Sequence, residues 1–176
     1  MIFPALIFAL MMLAIGGARA ETSDTLSRAK AGLMQCYSPN VGRKTCKSLA
    51  AYRFRSDGQV DNPARTLVSP NPPTVMTTIS TVSFRDGSIC GFVRAEDVEH
   101  ATIEVSGRSL NEAEAAPMKI QIKASLAPMI GREICTSYVA NGNAYVTHVT
   151  INGTPQSQAQ DEVIWIRPDA GYVVAP

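Results

Sequence analysis

Residues 61–73 read DNPARTLVSPNPP, with prolines at 63, 70, 72 and 73. Proline has no backbone N–H to give to a ladder, so a central strand does not tolerate such a run. The stretch therefore reads as a connector, and it divides the chain into two β-rich parts. Before it, KSLAAYRFRSDGQV (47–60) sets Tyr52 and Phe54 in alternation with Arg53 and Arg55, and Ser56-Asp57-Gly58 turns the chain. After it, TVMTTISTVSF (74–84) is rich in β-branched residues, RDGS (85–88) supplies a tight turn, and ICGFV (89–93) is the returning arm.

Other elements follow from the same periodicities. SDTLSRAKAGLMQC (23–36) opens with a short helix, and ATIEVSG (101–107) is a short strand. Asn111 ahead of Glu112 and Glu114 is the pattern of a capped helix start. Met118, Ile122, Leu126 and Ile130 recur every fourth residue, with Lys119 and Lys123 on another, outer side. Pro117 falls in the first turn of that helix and Gly131 lies past its end. MKIQIK (118–123) also alternates, so a strand start competes with the helix there. EICTSYVANGNAYVTHVTIN (133–152) is a hairpin about Asn141-Gly142, and EVIWIRP (162–168) is a last strand. The fold class expected is α+β. An antiparallel sheet of about five to seven strands, built from hairpins, carries one main helix and a short N-terminal helix.

The start of the chain reads as a secretory leader. IFPALIFALMMLAIGG (2–17) is an apolar run, followed by Ala18-Arg19-Ala20 as a small-x-small cleavage pattern and then by polar ETSD. The expected organisation is a signal peptide over 1–20 and one α+β domain over 21–176. Localisation is then periplasmic or secreted, with no transmembrane segment after cleavage.

Four cysteines, Cys36, Cys46, Cys90 and Cys135, remain after such a cleavage. An even number in an exported chain reads as disulfides, and locality favours Cys36–Cys46 and Cys90–Cys135. In the chain-entropy model the first closure contributes about 3 kcal/mol and the second about 4 kcal/mol. No C-x-x-C or close metal-ligand pair occurs, so neither a redox motif nor a zinc site is expected.

Chemistry is sparse. His100 follows Glu96, Asp97 and Glu99, but residue 96 is Glu where the H-x-x-E-H zinc pattern needs His. His148 in YVTHVTI reads as a half-exposed strand residue, and no G-x-S-x-G or phosphate loop is present. No catalytic residue, metal or cofactor is expected. Charge is more informative. The whole chain carries +1, but residues 28–65 hold eight basic and two acidic residues, a net of +6. Within them VGRKTCKS (41–48) presents Arg43, Lys44 and Lys47 on a loop bounded by Cys36 and Cys46. A preordered cationic loop suits an anionic envelope component or an acidic protein, and a neutral exported chain argues against nucleic acid.

The leader, CYSPNVGRKTC (36–46) and GREICTSY (131–138) together resemble small exported bacterial proteins of unknown function. That resemblance carries no activity and no site. The function expected is a monomeric exported binding or interaction module, with Arg43, Lys44 and Lys47 as its contact residues. The alternative is a small periplasmic hydrolase or inhibitor-like domain whose site the sequence does not display.

Overall fold

A computed structural model of the chain describes residues 21–176, and the leader expected over residues 1–20 lies outside the described residues. Helix α1 (Glu21–Lys30) is followed by strands β1 (Met34–Tyr37), β2 (Thr45–Cys46), β3 (Ser48–Ala50) and β4 (Arg53–Phe54). The long strands β5 (Val60–Pro70) and β6 (Pro73–Arg85) come next, then β7 (Ser88–Phe92) and the short helix α2 (Ala95–Glu99). Strands β8 (Thr102–Val105) and β9 (Arg108–Ser109) lead to helix α3 (Glu112–Leu126). The order ends with β10 (Glu133–Asn141), β11 (Ala144–Ile151), β12 (Thr154–Gln156), β13 (Glu162–Ile166) and β14 (Val173–Val174).

Eight of these strands close a ring. In the order β5–β3–β1–β13–β11–β10–β7–β6 each pairs antiparallel with the next, and β6 pairs back to β5. The molecule is a closed antiparallel β-barrel with added strands. This corrects the expected α+β class, a sheet of five to seven strands with one main helix.

The error lies in residues 61–73, which are not a connector but most of β5. In an antiparallel ladder a residue's N–H and C=O point to the same neighbour. The Pro63 carbonyl accepts from the Ala51 amide at 3.0 Å, on the side of β3 and β4. On that side β3 ends at Ala50, opposite Ala64, and β4 is opposite Val60 and Asp61. The missing N–H of Pro63 therefore faces the break between two short strands. The ladder to β6 runs on from Val60↔Val82 to Leu67↔Val75 without needing it. Pro70, Pro72 and Pro73 stand at the β5–β6 turn, where a ladder donor is not required.

Alternation sorts the side chains. On β1, Gln35 and Tyr37 face the barrel interior while Met34 and Cys36 face out, and the residues opposite them on β13 and β3 follow suit. Inside, Ile89, Tyr138 and Val163 form a buried cluster with Tyr37, Tyr52, Val82, Phe84 and Tyr145 against it. Outside, Cys36, Cys46, Leu49 and Ile166 form a second core, closed by Ala170, Tyr172 and Val174 of the C-terminal segment. The Cys36–Cys46 bridge lies in that outer core, and β14 runs parallel to β2 across it. The Cys90–Cys135 bridge joins directly opposed residues of β7 and β10. Both bridges are the mark of an oxidising compartment. Among the described residues no helix is long and apolar enough to cross a membrane.

The helices cover the barrel. On α1, Asp24 accepts from the Tyr145 hydroxyl and from Arg28 at 2.8 Å, so the helix lies at the end bearing the β10–β11 turn. Helix α3 begins in a capping box, with Asn111 accepting from the Glu114 amide and Glu114 from the Asn111 amide. Pro117 sits inside this helix rather than in its first turn. Lys119, expected on the outer side, is buried: its side chain is 8 % exposed, and its ammonium donates to the Glu99 carbonyl at 2.8 Å and to the Glu112 carboxylate at 2.9 Å. The adjacent Ile120 is 68 % exposed. Burial of that ammonium is possible because α2 ends beside it and offers a free carbonyl.

Candidate functional site: a recess in the barrel

Strand β7 is short, and its end makes an opening. It pairs with β6 only from Val82 to Arg85, whereas β8 pairs with Thr74–Thr77 further along β6. Residues 78–81 of β6 thus have β5 on one side and no strand on the other. Helix α2 fills part of that gap, and its Asp97 accepts from the Ser80 hydroxyl at 2.7 Å. Beneath it lies a recess of about 310 Å³. Tyr37, Tyr52 and Tyr138 line it, Val82, Ile89, Ile134 and Leu126 supply apolar wall, and Arg94 and Asp97 are its charged residues. Gly91 faces inward here, and a Cβ on it would come within 3.1 Å of Val82.

A hydrogen-bonded cluster joins the three phenols. The amide oxygen of Gln35 accepts from Tyr37 at 3.0 Å and from Tyr52, and the Tyr138 hydroxyl lies 3.4 Å from it. Tyr37 and Tyr138 share a further bond of 2.6 Å between their hydroxyls. Gln35 is fully buried, and its amide nitrogen has no partner among the described residues; nor has the indole nitrogen of Trp165, the residue opposite it on β13. Reversing the Gln35 amide only moves the vacancy to its oxygen.

Burial, then the neighbouring phenols, push Tyr37 and Tyr52 well above the ordinary phenol pKa, and burial pushes Tyr138 up as well. The phenols are therefore neutral hydrogen-bonding groups across the physiological range, not bases or nucleophiles. A raised folded pKa contributes stability that is intact below the unfolded value, near 10, and is lost as pH climbs beyond it. Stability is expected to fall on alkaline titration. Phenolate absorbance from Tyr37, Tyr52 and Tyr138 should appear only together with loss of the near-ultraviolet dichroism. Full ionisation of these three residues in a still-folded protein would contradict the buried cluster.

The residues singled out in the sequence lie elsewhere. Arg43, Lys44 and Lys47 are exposed around the Cys36–Cys46 bridge, and none forms an ion pair among the described residues. Lys44 is partly tied down, donating to the Ala170 carbonyl at 3.0 Å. His100 caps the end of α2 and His148 is exposed on the outer face of β11, and neither lines the recess. Cys90, Glu133 and Cys135 cluster within metal-ligand distance, but both sulfurs are spent in the disulfide. Sequence reasoning missed Gln35, Tyr37, Tyr52 and Tyr138 as a group. The available signal was Gln35 and Tyr37 at i, i+2 in MQCY, one face of one strand. Comparison with protein-family models, curated proteins and solved structures finds no match.

Proposed function

We propose that the protein is an exported binding module whose barrel interior takes a small ligand. The recess carries this reading. Eight strands enclose an interior that side chains either fill or leave open for one small ligand. Here about 310 Å³ stays open, at the small end of the roughly 300–1,000 Å³ typical of such sites. Neutral phenols and aliphatic walls suit binding. Toluene is the probe for access. In NMR titration it should shift the methyl signals of Val82, Ile89 and Ile134, and two filling variants, Thr136→Trp on β10 and Thr78→Trp on β6, should each abolish the shifts. Shifts that persist in both folded variants, or no shifts in the wild type, would overturn the reading.

A second reading rests on the loop cations. Arg43, Lys44 and Lys47 lack acidic partners among the described residues, which favours engagement of an anionic envelope component. Arg43→Glu with Lys47→Glu should release the protein from vesicles of phosphatidylglycerol and phosphatidylcholine at low salt and leave Tm nearly unchanged, since exposed charges are screened over about 10 Å at 0.1 M. Arg132→Glu is the control, because Lys119 is buried. Equal retention of the double variant and wild type would remove this reading.

A further inference from the structure

We propose that the recess selects small, uncharged molecules of one or two rings bearing a hydroxyl group, held with the hydroxyl on Tyr52 or Tyr138. The inference rests on the barrel interior being the site and concerns which ligand it takes. Three features set the class. The first is the proton count in the phenol cluster. The Gln35 oxygen takes the protons of Tyr37 and Tyr52, and Tyr138 is left to donate to Tyr37 at 2.6 Å. The oxygens of Tyr52 and Tyr138 then keep unused lone pairs while all three protons are committed. Such a cluster offers acceptors first, and a ligand hydroxyl is a donor that also adapts if the rotors rearrange.

The second feature is the charge of the recess. The charged residues that line it are Arg94 and Asp97, so a ligand charge held against the phenols would go unpaired. Arg94, a half-exposed lining residue, lies 3.7 Å from Glu96, which offsets its pull on an anion, and Asp97 accepts from Ser80 at 2.7 Å. The third is shape. Val82, Ile89, Ile134 and Leu126 give an apolar body room to lie, and the volume of about 310 Å³, about twice that of a cavity that holds benzene, suits a body of one or two rings.

The experiment compares p-cresol, toluene, benzoate and benzylamine by NMR titration of the disulfide-intact protein, in wild type and in the Tyr138→Phe and Tyr52→Phe variants. Tyr138→Phe leaves the Gln35 oxygen both of its phenol donors, and Tyr52→Phe leaves it Tyr37 with the Tyr138 hydroxyl 3.4 Å away, so folding survives. Wild type is expected to prefer p-cresol over toluene by about three- to tenfold, the worth of one well-made hydrogen bond. At least one variant should lose that preference while still binding toluene. Both charged rings should bind more weakly than toluene. Equal affinity for p-cresol and toluene in wild type, or a preference that survives both substitutions, would overturn the hydroxyl assignment yet leave the recess as a site. Benzoate or benzylamine binding as tightly as p-cresol would show that Arg94 or Asp97 sets the ligand class, and would equally overturn it. Failure of every probe, toluene included, would overturn the barrel-interior reading itself.

Discussion

Replacing Cys90 and Cys135 together by alanine is expected to destabilise the protein by about 4 kcal/mol. The two residues are direct neighbours on β7 and β10, yet 45 positions apart in sequence. Between them run α2, β8, β9 and α3, none of which belongs to the barrel ring. Without the bridge the unfolded chain regains the freedom of that whole segment, and the ring loses its covalent tie at the join beside the recess. Removing Cys36–Cys46, only 10 positions apart, should cost about 3 kcal/mol by the same model. Against a total of roughly 5–15 kcal/mol for a domain, either loss is large. Urea unfolding of the two double variants measures both. A cost below about 1 kcal/mol for the longer closure would refute its role.

Tyr138→Ala is expected to cost about 3–5 kcal/mol, as for other buried aromatic truncations. The ring is 3 % exposed and packs with Ile89 and Val163 in the interior cluster. Its loss removes apolar contact and leaves a void continuous with the recess. Tyr138→Phe keeps the ring and should cost only about 1 kcal/mol, because the Gln35 oxygen still accepts from Tyr37 and Tyr52. The ratio of the two costs separates packing from hydrogen bonding. If the phenylalanine variant proved as unstable as the alanine variant, the hydroxyl cluster, not the packed ring, would be what holds the interior together.

Local pattern was legible, closure was not. The hairpins of β6–β7 and β10–β11 were readable because Asp86-Gly87 and Asn141-Gly142 declare their turns between alternating arms. The start of α3 was readable because Asn111 and Glu114 form a reciprocal cap within four residues. Strand β5 was missed because a proline count ignores which side of the strand each nitrogen faces. Pro63 is harmless only because β3 and β4 leave a break opposite it, a fact of pairing between distant segments. Losing β5 turned a ring into an open sheet and took the interior with it. The phenol cluster was out of reach for the same reason, since Tyr37, Tyr52 and Tyr138 meet only through strand registers. On α3, Lys119 looked like a solvated residue, and the end of α2 beside it buries its ammonium instead.

Closure of the barrel by β5 is the claim on which the recess, the phenol cluster and the ligand class all depend. Cross-strand proton contacts in a NOESY spectrum test it directly. Ala64, Arg65 and Thr66 should each show contacts on both sides: to Ala50, Leu49 and Ser48 of β3, and to Thr78, Thr77 and Met76 of β6. Their slow amide exchange should match that of β10 and β11. Contacts to neither strand, with fast exchange through residues 61–70, would mark the proline-bearing stretch as a connector after all and open the barrel.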